Sequence, residues 1–334
     1  MKLVRFPGKE FEKISKRKDA AKIRVSRIVE KILKDVRAHG NDAILRYTKK
    51  YDGVKLTAAS LKVSETEING AYQDIDPQFV SVLKVAIENI SAFYKKQVRK
   101  SWKMSREDGV ILGEQVNPLD SVGIYVPAGT APLVSSVYMG VLPAKIAGVK
   151  RIVLCTPPDK YGSVNPYILM VANLLNVKEI YKIGGAQAIG ALAFGTQTIL
   201  PVDKIVGPGN QFVTEAKRQV FGYADIDMTA GPSEVVIIAN QNAQNEFIKA
   251  DLEAQAEHLG GSALLVSTSK SQVKFFRNFS FKGFVIRAKN LDEACQIVNL
   301  IAPEHLEVLI KNPRSVLRKI RNAGAIFMGE YTPT

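Results

Sequence analysis

Cysteine, histidine and tryptophan are scarce in this chain, at two, three and one among 334 residues. Two cysteines, Cys155 and Cys295, are too few for a disulfide framework. Cys155 closes the apolar run Arg151 to Cys155 and Cys295 sits in a helix-like stretch, so both read as small buried apolar side chains. No stretch approaches the roughly 18 apolar residues a membrane helix needs. The opening residues Met1 to Pro7 lack the apolar core of a signal peptide. The expected address is therefore cytoplasmic, with no membrane partner. Acidic residues are also few, 32 against 46 lysines and arginines, which leaves a net charge of +14. The basic residues are spread along the chain, densest at Lys13–Lys18 and Lys95–Lys100, with no aromatic-interleaved nucleic-acid motif beside them. They read as a solvated face, and no nucleic-acid partner is expected.

With 46% hydrophobic residues the chain has enough apolar surface for a large core, and its length favours two domains over one. Residues before Val122 read as helical. Ile23, Val25, Ile28, Val29, Ile32, Leu33 and Val36 recur at helical spacing, His39-Gly40 stops that helix, and Pro77 to Lys100 forms another. His39 reads as a histidine favoured by a helix C-terminus. From Val122 the pattern alternates. Strands are predicted at 122–126, 151–155, 179–183, 204–206 and 226–228, with helices at 133–148, 166–175, 186–194 and 211–221 between them. A second series places strands at 235–239, 263–268, 283–287, 305–309 and 325–328 around helices at 245–258, 269–276, 291–300 and 313–322, the third capped by Asn290 with Glu293. The predicted fold class is α/β, two parallel-sheet, incomplete Rossmann-like modules preceded by a helical N-terminal region. Residues 1–124 and 234–334 are assigned to a first α/β domain, and 125–233 to an inserted α/β domain with glycine-rich turns.

Two of the three histidines follow a glutamate, at Glu257-His258 and Glu304-His305. An imidazole beside a carboxylate is a natural acid–base pair, although adjacency alone is weak evidence. Gln255 and His258 stand three residues apart near the end of a helix stopped by Gly260-Gly261, so both project from one helix face. An amide oxygen and an imidazole there suit a borderline metal such as zinc, but two ligands do not complete a site, and a polar helix end facing solvent is the plainer alternative. Pro303 breaks the preceding helix and sets Glu304-His305 at a turn, which fits a residue aimed into a cleft or an ordinary surface turn. Glycine turns follow several middle strands, at Pro127-Ala128-Gly129-Thr130, Gly184-Gly185, Gly207-Pro208-Gly209-Asn210 and Gly231-Pro232. None is a complete G-x-G-x-x-G fingerprint. Four on one module suggest a ligand face at the carboxyl ends of its strands.

The runs Gly123 to Thr130, Pro143 to Gly148, Gly184 to Ile189, Val202 to Asn210, Asp227 to Glu234, Gln255 to His258, Ala302 to Leu306 and Asn322 to Ile326 occur in the order seen in one family, and the chain resembles histidinol dehydrogenases over essentially its whole length. The resemblance implies oxidation of L-histidinol to L-histidine, the last step of histidine biosynthesis, with two NAD molecules used in succession, zinc as a second cofactor, and a homodimer. It implies that His305 is the general base for the alcohol, Glu304 the base that activates water in the second half, Gln255 and His258 two zinc ligands, and Ser233 a substrate contact. Tyr125, Gln187 and Asn210 are implied as NAD contacts.

Three departures stand out. Leu259 takes the place of the family's usual aspartate, and Ala128 that of a usual glycine. Past Thr334 the family continues into a segment resembling a subunit-exchanged tail that supplies an aspartate and a histidine to zinc. The expectation is a chain cut short at its C-terminus that holds zinc weakly and turns over little histidinol. Two other readings remain open. One is a related dehydrogenase of another amino alcohol or a polyol, suggested by Leu259. The other is a non-catalytic basic binding protein on the same fold, suggested by the net charge.

Overall fold

The computed structural model describes residues 1–15, 22–128, 133–229, 233–257 and 261–332. The chain forms two compact units, one of residues 1–20 with 231–334 and one of residues 21–230. The sequence reading places 22–124 with 234–334 instead. The first unit opens with strand β1 (Lys2–Val4) and helix α1 (Lys9–Ser15), and the chain then leaves it for two hundred residues.

The unit 21–230 begins with helices α2 (Lys22–His39), α3 (Asn41–Tyr51), α4 (Glu65–Ala71) and α5 (Pro77–Lys95). A hairpin of β2 (Trp102–Ser105) and β3 (Ile111–Glu114) follows. The α/β series then runs β4 (Ser121–Tyr125), α6 (Val134–Ile146), β5 (Arg151–Thr156), α7 (Pro166–Leu174), β6 (Glu179–Lys182), α8 (Gly185–Phe194), β7 (Lys204–Val206), α9 (Gln211–Val220) and β8 (Asp225–Ile226). Its five strands are parallel in the order β6-β5-β4-β7-β8. The order reverses between β4 and β7, the position at which open α/β sheets present a ligand crevice at their carboxyl edge.

Helical spacing in α2 buries Val29, Ile32, Leu33 and Val36 against Ile189 and Leu192 of α8 and the Tyr125 side of β4. Helices α5, α6 and α7 cover the opposite face, with Leu83, Val137, Val141 and Ile168 around Ile124. The period-2 alternation of Ile124 and Tyr125 divides one strand between two cores. It is this shared core that puts α2 and α3 in the middle unit, a grouping linear order does not reveal.

The unit 1–20 with 231–334 continues with β9 (Glu234–Ala239), α10 (Asn245–Ala256), β10 (Ser262–Ser267), α11 (Lys270–Arg277), β11 (Phe284–Arg287), α12 (Leu291–Ile301), β12 (His305–Leu309), α13 (Arg314–Leu317) and β13 (Ala325–Met328). Its six strands are all parallel, in the order β1-β11-β10-β9-β12-β13. Val235, Ile237 and Leu309 face α10 and α11, while Val236, Ile238, Leu306 and Val308 face α1 and α12. Asn290 caps α12, accepting from the Glu293 backbone N–H at 2.9 Å.

The two parallel-sheet modules are as expected. The helical reading of everything before Val122 is corrected in two places. β1 is a strand because Lys2, Leu3 and Val4 align with Phe284, Val285 and Ile286, a partner nearly the whole chain away. The β2–β3 hairpin is exposed along all its residues, so it lacks the half-buried alternation by which strands are recognised. Helix α13 spans one turn where ten residues were expected, and β8 spans two residues. Among the described residues no helix is long and apolar enough to cross a membrane.

Candidate functional site

In the unit 21–230 the three residues implied as cofactor contacts all lie at the carboxyl edge of the sheet. Tyr125 is the last residue of β4, Gln187 lies in the first turn of α8 after β6, and Asn210 caps α9 after β7. Tyr125 is buried, its hydroxyl accepts from the Gly185 backbone N–H at 3.0 Å, and burial above all pushes its pKa up to about 12. Gln187 is 1% exposed, and its side-chain nitrogen Nε2 has no hydrogen-bond partner among the described residues. Asn210 accepts from the backbone N–H groups of Phe212 and Val213 at 3.0 and 3.2 Å, so its side-chain oxygen caps helix α9.

The turn after β7 must be glycine at its first position. Gly207 has φ +118°, and a Cβ there would lie 2.1 Å from the Tyr125 carbonyl oxygen. Two charged residues that the sequence reading passed over brace this turn. Lys217, almost wholly buried in α9, donates to the Gly207 carbonyl at 2.9 Å and pairs with Asp227, while Asp227 accepts from the Gly207 N–H at 2.8 Å. A lysine inside an otherwise amphipathic helix, ten residues past a glycine turn, was the available signal. The Gly129-Thr130 and Gly231-Pro232 parts of the other turns lie outside the described residues.

In the unit 1–20 with 231–334 the implied catalytic and substrate residues gather at the amino edge of the sheet. Ser233 immediately precedes β9, and Glu304 precedes β12, whose first residue, His305, stands beside Val235. The Ser233 carbonyl accepts from the Ser262 N–H at 3.0 Å and from the Gln255 side-chain Nε2 at 2.8 Å. Gln255, in the last turn of α10 and 6% exposed, is thus held with its amide oxygen turned away from that carbonyl. The Glu304 carbonyl accepts from the Ala325 N–H at 2.9 Å, which fixes the turn before β12 against the start of β13. The half-buried His305 ring meets the Phe327 ring edge-on at 5.9 Å, and its Nδ1 is buried with no hydrogen-bond partner among the described residues. Register therefore brings Ser233, Gln255, Glu304 and His305 to one edge of one sheet. His258 and Leu259 lie outside the described residues. The third histidine, His39, is exposed at the end of α2, where its Nδ1 bonds the Asp35 carboxylate at 2.8 Å.

The two implied cofactors make different demands on these two edges. The first edge offers a dinucleotide a buried amide that has no partner among the described residues and a turn that only glycine can make. For a metal, the second edge offers one oriented amide oxygen at a helix C-terminus, where the helix dipole favours a cation. Among the described residues no group of three or more His, Cys, Asp or Glu side chains is placed to hold a metal ion.

A family model for histidinol dehydrogenase matches residues 15–278 and 272–334. The chain is 44% identical to the histidinol dehydrogenase of Clostridium acetobutylicum, over 97% of this chain and 79% of that protein. It is 46% identical to that of Caldanaerobacter subterraneus subsp. tengcongensis, with the same coverage of each. Among solved structures, the histidinol dehydrogenase of Elizabethkingia anophelis superposes with a TM-score of 0.90 at 35% identity, covering 100% of this chain and 81% of that one.

Proposed function

Because the chain belongs to the histidinol dehydrogenase family, we propose that it oxidises L-histidinol to L-histidine in histidine biosynthesis, as an NAD-dependent, zinc-assisted oxidoreductase. The observation that carries this reading is the register that sets His305 at the start of β12 beside β9, whose leading Ser233 holds Gln255. A base, a carboxylate, a hydroxyl and an oriented amide then share one sheet edge.

His305 removes the alcohol proton, since hydride leaves a carbon more readily as its hydroxyl is deprotonated. With Nδ1 buried, Nε2 is the nitrogen that meets the substrate. After the first oxidation Glu304 takes a proton from water as it adds to the aldehyde, giving the hydrate that the second oxidation consumes. Ser233 and Gln255 orient the amino alcohol. NAD, when bound, supplies the hydride acceptor for both oxidations, and Tyr125, Gln187 and Asn210 hold it. Zinc, when bound, supplies a Lewis acid that anchors the imidazole and amine of the substrate, with Gln255 and His258 as its ligands from this chain. The family resemblance also supports a homodimer, which sedimentation would check.

The test is direct. Purified protein given L-histidinol, NAD and zinc is expected to yield L-histidine and two NADH for each histidinol consumed. NADH formed from other amino alcohols or polyols, with none from histidinol, overturns the reading.

A further inference from the structure

Two acids meet between helix and sheet in the unit 1–20 with 231–334, and no role assigned so far uses them. His305, Glu307 and Leu309 alternate onto one face of β12, the face that α10 covers. Glu307 is 0% exposed, and its register neighbours are Ile237 of β9 and Phe327 of β13. The inner face of α10 carries Ile248, Asp251, Leu252 and Gln255 at helical spacing, and Asp251 hydrogen-bonds Glu307. Carboxylates only accept hydrogen bonds, so a bond between two carboxyl groups needs a proton on one of them. The apolar surroundings enforce the same result, since two ionised carboxylates side by side in a buried layer repel. Burial pushes the Asp251 carboxyl above its ordinary value, with the Glu307 bond offsetting the rise in part.

The place of this pair relative to the amino edge gives it a use. Helix α10 runs from the carboxyl end of β9 back to the amino end of β10, antiparallel to the strands. From Asp251 to Gln255 the helix advances about 6 Å, and from Glu307 back to His305 the strand covers about 6.6 Å. Joining Asp251 to Glu307 therefore sets Gln255 level with His305. The bond from Gln255 Nε2 to the Ser233 carbonyl ties the same end of the helix to the edge. The His305 ring in turn meets the ring of Phe327, the register neighbour of Glu307. We propose that Asp251 and Glu307 share one proton and are positioning residues that clamp α10 to β12, holding the Gln255 amide level with the His305 imidazole. This rests on the reading of the amino edge as the place of oxidation. A shared proton suits the task, because a hydrogen bond to a charged acceptor is stronger than one between neutral groups and the layer then carries one buried charge instead of two.

The proton is read by infrared difference spectroscopy of the full chain at neutral pH. A protonated carboxyl shows a C=O stretch that a carboxylate lacks. Glu307→Gln is expected to remove one such band, and Asp251→Ala to shift it as the bond between the acids is lost. No band lost in the first variant, or none shifted in the second, overturns the shared proton. The clamp is read from steady-state kinetics with histidinol and NAD. Asp251→Ala is expected to lower kcat/KM for histidinol about tenfold, the usual loss for a hydrogen bond to a charged partner, with KM for NAD unchanged. Glu307→Gln keeps the clamp, its amide donating to the Asp251 carboxylate, and should retain most of the activity. Asp251→Ser, whose arm is too short to reach Glu307, gives the same comparison and replaces Asp251→Ala if that variant does not fold. Unchanged kcat/KM for histidinol on losing the Asp251 carboxyl overturns the positioning role. So does an equal rise in KM for NAD, which marks general loss of structure, or a Glu307→Gln protein as impaired as Asp251→Ala. If the unaltered protein oxidises no histidinol, the reading of the amino edge fails and the positioning role falls with it, while the infrared result still decides the shared proton.

Discussion

The two sheets share a strand order yet carry their candidate residues at opposite ends. In the unit 21–230 the strands of the α/β series run third, second, first, fourth, fifth, and the other unit repeats that order with β1 added at one side. In the first, Tyr125, the Gly207 turn and Asn210 lie at the carboxyl edge where the order reverses. In the second, Ser233, Glu304 and His305 lie at the amino edge of the equivalent strand pair, β9 and β12. The difference follows from what each edge offers. At a carboxyl edge, turns lead into helix N-termini, so backbone N–H groups and partial positive charge favour an anionic cofactor. At an amino edge, helices end and strands begin. Partial negative charge there favours a cation, and side chains rather than backbone must supply acid–base chemistry. One topology thus offers two kinds of edge, and the two sets of candidate residues lie at opposite ones.

This contrast is open to direct tests. Replacing the amino-edge base should have the largest effect. His305→Asn is expected to lower kcat by about 10²–10⁴-fold with KM little changed, read from steady-state NADH formation with histidinol. A variant near normal kcat would remove the chemistry from that edge. At the carboxyl edge the brace beneath the glycine turn comes next. Lys217→Met leaves Asp227 without its buried cation and frees the Gly207 carbonyl. It should cost about 2–3 kcal/mol in urea unfolding, below the range for a fully buried pair because Asp227 is partly exposed, and should weaken NAD binding. Unchanged stability and affinity would show that the turn holds itself.

The smallest expected effect sharpens the charge contrast between the units. Glu215 in α9 is bonded by Arg218 at 2.6 and 2.8 Å, and by Gln219, which also reaches Ser26 of α2. The Arg218 hydrogen bonds, offset in part by burial, hold its carboxyl at about 2, below the ordinary 4.5. A depressed folded-state pKa contributes stability above the unfolded value that is lost as pH falls from about 4.5 through about 2. Glu215→Gln should therefore destabilise the protein by about 2 kcal/mol at neutral pH, less than the full shift because Arg218 is solvent-exposed, and by almost nothing near pH 2. A pH-independent difference between the two proteins would refute the assignment.

Much of the architecture was legible because burial imposes periodicity. The runs 152–155 and 235–239 are apolar and short, as strands covered on both faces must be, and each lies in a strand. Asn290 was readable as a cap because capping depends on residues three apart. β1 was not, since three residues at the chain's start carry no period of their own and are made a strand by β11. The Lys217–Asp227 brace escaped because neither charge carries a motif and the two meet only where α9 packs back on the Gly207 turn.

The residue types at each turn, the alternation of strands with helices and the motif series that marks the family are properties of the sequence alone. Local propensity and burial pattern are written in consecutive residues. Which strands are neighbours, and hence that His305 stands beside β9 with Ser233 and Gln255 at one edge, was decided only by tertiary structure. Parallel pairing joins residues far apart in the chain through backbone hydrogen bonds that any side chain permits, so the register is fixed by how the two faces of the whole sheet pack.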